Sequence, residues 1–176
     1  MRLFIAVNFN EDIKMKIKNI QDEFKKISIK GNFTLYENLH LTLIFLGEVP
    51  SSKINDIKEV MMQIELDSFK LKFNNTGMFK RNGGDIYWAG IEKNNSLEKV
   101  HKYLCEKLTI KGFNIEKRAF KPHLTLAREV VLNKDFNNYK KPLDIKSEVN
   151  KISLMKSERI NGKLKYTSVF DITDKK

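Results

Sequence analysis

His40-Leu41-Thr42-Leu43 and His123-Leu124-Thr125-Leu126 are one tetrapeptide written twice in a chain of 176 residues that holds three histidines. Each copy lies in a run that reads as a β-strand, residues 39–46 and 123–128. Successive side chains of a strand point to opposite faces, so His and Thr share one face and the two leucines share the other. The leucines suit a core, and the imidazole and hydroxyl are left side by side for binding or chemistry. A single strand histidine is more often a hydrogen-bonded structural group than a catalyst. Core packing would keep alternating leucines in a repeat, but it does not require the same His and Thr on the other face of both copies.

Working outward from the first copy, residues 3–9 alternate as a strand, and Asn10 offers an N-cap to a helix over 11–27. In that helix Ile13, Ile17, Ile20, Phe24 and Ile27 form one apolar stripe, with Glu11 and Asp12 in the first turn. Gly31-Asn32 turns the chain into a short extended piece over 33–35, and Gly47 and Pro50 end the His strand. Ser51 and Ser52 cap a second helix to about Ile64, and residues 69–73 alternate as a strand. Asn74, Asn75 and Gly77 read as loop, and Asn82-Gly83-Gly84 as a turn into a strand over 86–91. A third helix over 96–111 carries Leu97, Val100, Leu104 and Leu108 and stops at Gly112. The second His strand follows Pro122. Residues 133–139 suggest a short helix, and 149–154 and 166–172 suggest strands joined across Asn161-Gly162.

The order of strand, helix, His strand repeats. The offset of 83 between the histidines also sets Ala89 over Ala6, each in a strand that precedes a helix. The expected architecture is therefore a duplicated α+β chain, one bilobal domain over 1–176 with halves at roughly 1–83 and 84–176. Two lobes related by a pseudo-twofold axis would line a central cleft with both His-Thr pairs.

Composition bounds the rest. With 41% hydrophobic residues and no apolar run near the roughly 20 residues that span a bilayer, the chain reads as a globular protein with no membrane segment. Its opening apolar run reads as a strand and not as a secretory leader. The single Cys105 excludes an intramolecular disulfide and suits a reducing compartment, so the expected location is cytoplasmic. A net charge of +11, from 33 Lys and Arg against 22 Asp and Glu, favours polyanionic partners. Biased base composition would also produce such a Lys-, Asn- and Ile-rich chain, so the charge counts only when joined to a site.

Three chemistries use two facing histidines. A zinc site needs more ligands than these motifs bring, and the expected metal and cofactor complement is none. Nucleophilic catalysis needs an activated Ser, Cys or Thr beside an oriented base, and neither arrangement is present in the motifs. General acid–base catalysis needs one protonated and one neutral group flanking the reacting atom. In-line displacement at phosphorus fits it, with Thr42 and Thr125 donating to the non-bridging oxygens. Arg128 could add positive charge, but strict alternation points it with the leucines, so its approach to the cleft needs a bulge or twist. His101 has no Thr two residues on and no repeat counterpart, and no role is assigned to it. Phe9, Tyr36, Phe79 and Trp88 are aromatics equally suited to core or to base stacking.

The residues resemble the 2H phosphoesterases, and within them the RNA 2′,3′-cyclic phosphodiesterases also called 2′-5′ RNA ligases. The resemblance covers essentially the whole chain. It runs through Phe4-Ile5-Ala6-Val7, the stretch from Asn38 to Gly47, Trp88-Ala89-Gly90-Ile91, the stretch from Phe120 to Arg128, and Leu154-Met155-Lys156-Ser157 followed by Tyr166. It implies a bilobal fold with two antiparallel sheets flanking the cleft and helices outside. It also implies hydrolysis of an RNA-terminal 2′,3′-cyclic phosphate to a 2′-phosphomonoester, with reversal giving 2′-5′ ligation. His40 is then the proton donor and His123 the proton acceptor, a split that two identical motifs do not themselves make. The implied partner is RNA with a cyclic phosphate end, tRNA fragments included, acted on by a monomer. Other readings are a 2H enzyme for 2′-5′ oligonucleotides, a small cyclic nucleotide or an ADP-ribose cyclic phosphate, or an RNA-end-binding module without turnover.

Overall fold

Strand β1 (Arg2–Asn8) buries residues 3–7 without a break. A central strand covered on both faces reads this way, as a continuous apolar run. Asn10 then caps helix α1 (Glu11–Lys26), its side chain accepting from the Ile13 N–H at 3.0 Å, and the stripe of Ile13, Ile17 and Phe24 is buried. The computed structural model describes residues 1–133 and 135–174. Further along lie β2 (Ser28–Phe33), β3 (His40–Glu48), α2 (Ile54–Met62), β4 (Phe69–Phe79), β5 (Asp85–Ile91), α3 (Asn95–Ile110), β6 (His123–Leu132), β7 (Pro142–Val149), β8 (Lys151–Ile160) and β9 (Lys163–Thr173).

These strands form one antiparallel sheet in the order β7-β4-β5-β6-β3-β1-β8-β9, with β2 alongside β6. The two sheets implied by the resemblance are the two sides of this sheet. They join at β3 and β6 through a single residue pair, Leu41 with Leu124. Those leucines are equivalent positions of the repeat, and a residue paired with its own equivalent lies on the pseudo-twofold axis. The fourth strand of each half crosses over: β4 lies beside β5, and β8 beside β1. Each side of the sheet thus draws on both sequence halves. One face of the sheet and the three helices enclose the main core, which includes Leu41, Leu43, Leu124 and Leu126. The other face carries a small cluster of Phe4, Ala6 and Met155 with Tyr166 against it.

Several boundaries move, each because pairing with a distant strand outweighs local turn signals. The Asn74–Gly77 stretch, expected as loop, continues β4, because Thr76 and Gly77 pair with Ala89 and Trp88. Gly77 is there for space: a Cβ would come within 2.0 Å of the Trp88 ring. Gly31-Asn32 lies inside β2, which pairs irregularly with β6. The strand expected over 149–154 is observed as β8, which starts at Lys151 and runs on to Ile160, while Val149 ends β7. The short helix expected over 133–139 is a 3-10 turn at Phe136–Tyr139, and Lys134 lies outside the described residues.

The shared offset of 83 also fails in the neighbouring strands. Thr42 pairs with Ala6, but Thr125 pairs with Trp88, so the counterpart of Ala6 is Trp88 and not Ala89. A slip of one residue exchanges faces. Ala6 accordingly belongs to the cleft-side cluster, whereas Ala89 is in the main core.

Candidate active site

In the register set by Leu41 and Leu124, Thr42 lies across from His123 and Thr125 across from His40. The two imidazoles therefore sit on a diagonal across the seam of the sheet. Each is anchored in the same way. His40 Nδ1 lies 2.6 Å from the carbonyl oxygen of Asn38, and His123 Nδ1 lies 2.6 Å from that of Lys121. A carbonyl oxygen only accepts, so Nδ1 carries the hydrogen in both rings and Nε2 is the nitrogen left for chemistry. His40 Nε2 is 2.9 Å from Thr42 Oγ1. Among the described residues the Thr125 side chain makes no matching bond to His123, although its backbone carbonyl accepts from Thr34 Oγ1 at 2.9 Å.

Aromatic rings wall each imidazole. Phe4 and Tyr166 lie 4.9 and 5.2 Å from His40, centroid to centroid, and Phe79 and Trp88 lie 5.1 and 6.3 Å from His123. Of the four aromatics left open by sequence, Phe79 and Trp88 are thus at the site. Phe9 is in the core against Phe73, and Tyr36 bonds Glu11 beside α1. Asn38, buried, does more than hold His40. Its side-chain amide donates to the Leu164 carbonyl at 2.8 Å and accepts from the Tyr166 N–H at 3.2 Å, which ties β9 and its tyrosine to the His40 strand.

Arg128 reaches the cleft despite its place in the alternation. Between the pairs Trp88–Thr125 and Tyr87–Ala127 strand β6 has one residue more than β5, so Leu126 and Ala127 are both buried and the alternation restarts one residue late. A β-bulge resets side-chain phase in this way. The same bulge occurs in β3, between Ala6–Thr42 and Ile5–Ile44. It turns Phe45, the counterpart of Arg128, to the cleft. Thr42, Phe45, Phe79, His123 and Arg128 line a cavity of about 530 Å³.

Burial, chiefly, lowers the pKa of both histidines; the carbonyl bonds to Asn38 and Lys121 oppose it. Arg128 lowers both further. His123 adds to the depression at His40, and Arg118 to that at His123. Both rings are thereby biased towards the neutral form. Among the described residues no three His, Cys, Asp or Glu side chains converge as a metal ligand set.

Sequence reasoning passed over His101. It stacks on Phe120 with ring centroids 3.9 Å apart and planes 8° apart, and both line the cavity. This stack fastens the 111–122 loop to α3, beside a half-buried Cys105 whose Sγ is 3.5 Å from His101 Nε2. One signal was available: only five of the 33 basic residues are arginines, Arg2, Arg81, Arg118, Arg128 and Arg159. Arg81, Arg118 and Arg128 line the cavity, and Arg2 lies over the Phe45 ring at 5.2 Å.

One sheet thus carries two carbonyl-anchored histidines near its seam, and His123, Thr42 and Arg128 line the cavity beside it, whereas His40 and Thr125 are not among its lining residues. The chain belongs to the 2′-5′ RNA ligase superfamily, which matches over residues 17–161, and it is an enzyme of that family. It is 35% identical over 131 residues to an RNA 2′,3′-cyclic phosphodiesterase of Thermotoga maritima, covering 73% of this chain and 70% of that protein. It is 40% identical over 129 residues to a protein of the same name from Methanocaldococcus jannaschii, covering 73% and 71%. In fold it matches Escherichia coli LigT, from a crystal structure with 3′-AMP, at a TM-score of 0.86 over 99% of this chain and 98% of that one, at 24% identity. The α+β fold expected from the repeat is the one observed.

Proposed function

We infer that the cleft hydrolyses the 2′,3′-cyclic phosphate at the end of an RNA to a 2′-phosphomonoester, by His/His acid–base catalysis that needs no metal. The observation that carries this is the matched anchoring of His40 and His123 through Nδ1, which turns each Nε2 away from the backbone carbonyl, that of His40 towards Thr42 Oγ1. The names of the relatives support the substrate. In the reaction, His123 Nε2 takes a proton from water as the water oxygen attacks phosphorus. The P–O3′ bond breaks, and His40 Nε2–H gives its proton to O3′. Two arginines, Arg128 and Arg118, favour the neutral ring at His123, the form a base requires. Thr42, Thr125 and Arg128 stabilise the charge that builds on the non-bridging oxygens. Burial chiefly depresses His40, and an arriving phosphate compensates the smaller share due to Arg128, which favours the protonated ring that must donate. With a ribose 5′-hydroxyl in place of water as the nucleophile on the cyclic phosphate, the same groups break P–O3′ and make a 2′-5′ linkage. The protein is taken to act as a cytoplasmic monomer.

The test is to incubate an oligonucleotide ending in a 2′,3′-cyclic phosphate and identify the product by mass and NMR. A 2′-phosphate is expected, formed equally in excess EDTA and lost in His40→Ala and His123→Ala with the fold intact. A 3′-phosphate, or full activity in either variant, would overturn the assignment.

A further inference from the structure

We propose that Arg81 and Arg118 form a second phosphate subsite beside the histidines, which holds the backbone phosphate on the 5′ side of the reacting nucleotide. The inference rests on the RNA-end reading above. Arginine is the residue suited to a phosphate, because its planar guanidinium donates two parallel hydrogen bonds to one anion. In a chain with 28 lysines, three of the five arginines line one cavity. Arg128 acts on both imidazoles and so belongs to the reacting phosphate. Arg118 lines the same cavity but comes from the 111–122 loop, apart from the strand β6 that carries Arg128.

Two separate elements bring these arginines together. Arg81 begins the β4–β5 hairpin turn, where its backbone N–H donates to Asp85 at 3.1 Å and its guanidinium bonds only the Lys80 carbonyl, at 3.3 Å. Among the described residues it has no acidic partner for its charge. Arg118 comes from the loop that the His101–Phe120 stack pins to α3, and its own partner is the exposed Glu116 at 3.0 Å. Glu116 lines the same cavity, so an incoming phosphate competes with it for Arg118. Phe79 and Phe120 line the same cavity. A cyclic mononucleotide has no 5′ phosphodiester and leaves this subsite empty, whereas a polynucleotide end fills it.

The experiment compares kcat/KM for a 2′,3′-cyclic mononucleotide, a dinucleotide with the same cyclic end, and that dinucleotide with a neutral methylphosphonate linkage. The wild-type protein is expected to favour the charged dinucleotide over the mononucleotide by about tenfold or more, the scale of one charge-assisted contact. The preference should fall towards unity with the methylphosphonate, towards unity in Arg81→Gln and Arg118→Gln, and rise in Glu116→Gln. Taking the ratio cancels any change that Arg118→Gln makes at His123. A wild-type ratio near unity, or one indifferent to the methylphosphonate, overturns the subsite and leaves the enzyme reading standing. Turnover of none of the three substrates overturns the reading on which it rests. The methylphosphonate comparison needs no variant, so misfolding cannot obscure the result.

Discussion

Replacing Arg128 with glutamine tests how the bulge in β6 is coupled to chemistry. In the unliganded protein Arg128 depresses the pKa of both His40 and His123, on top of the larger effect of burial. On the proposed mechanism the productive free enzyme has one ring protonated and one neutral, so kcat/KM should follow a bell whose maximum lies on the acid side of the ordinary histidine value of 6.5. Removing the guanidinium takes a positive neighbour from both rings. Both pKa values rise, and the whole bell moves towards higher pH while staying a bell. The rate falls as well, because a charge-assisted contact to the phosphate is lost. At about 1.5–3 kcal/mol for such a bond, kcat/KM at the optimum drops about 10- to 100-fold. The assay is hydrolysis of a 2′,3′-cyclic nucleotide between pH 4 and 9 for the wild type and Arg128→Gln. A loss of rate with the bell unmoved, or moved towards acid, would refute the argument, because it would mean that the charge of Arg128 does not reach the histidines.

The remaining predictions concern the asymmetry, packing and pH response of the same region. On the proposed mechanism Thr42→Val and Thr125→Val should each lower kcat about 100-fold through a lost donor to the phosphate, and only Thr42→Val should move the 15N shift of its histidine's Nε2, because among the described residues only His40 is bonded to its threonine. Gly77→Ala should cost about 1–3 kcal/mol by driving a methyl into the Trp88 ring, lowering Tm by several degrees and changing the emission of the sole tryptophan. All three histidines have lowered pKa values, so the unfolded chain binds more protons than the folded one below about pH 6.5. The stability their neutral forms confer is complete above 6.5 and is lost as pH falls towards their folded values. Thermal unfolding from pH 7 to 5 should show this loss, and His101→Asn should reduce its slope; a Tm that rises on acidification would contradict it.

Much of the site could be read from sequence because it is local. The period of a strand is dictated by its own backbone, so His40, Thr42, His123 and Thr125 had to share faces opposite their leucines, and the recurrence of that pattern required a second, equivalent half. The helices were legible for the same reason, from the spacing of Ile13, Ile17 and Phe24 and from Asn10 at the cap. What strict alternation could not supply was the phase beyond each motif. Arg128 and Phe45 face the cleft because β6 and β3 each carry one residue more than the strand beside them, a mismatch defined by the partner and absent from either strand alone. The one-residue difference that sets Trp88 in place of Ala89 opposite the motif has the same origin, and Gly77 is intelligible only once that ring lies upon it.

The opening tetrapeptides by themselves therefore determined that the chain has two equivalent strands with a His and Thr face opposite a leucine face, since side-chain direction along a strand is a property of the backbone. Only the tertiary structure decided what stands around them. The pairing of Leu41 with Leu124 brings the two faces to one cleft, and the exchange of β4 and β8 interlocks the halves. Bulge, hairpin and loop then gather three of five scattered arginines on one wall. Those contacts join residues far apart in the chain, and they are selected by the pairing and burial of the whole sheet.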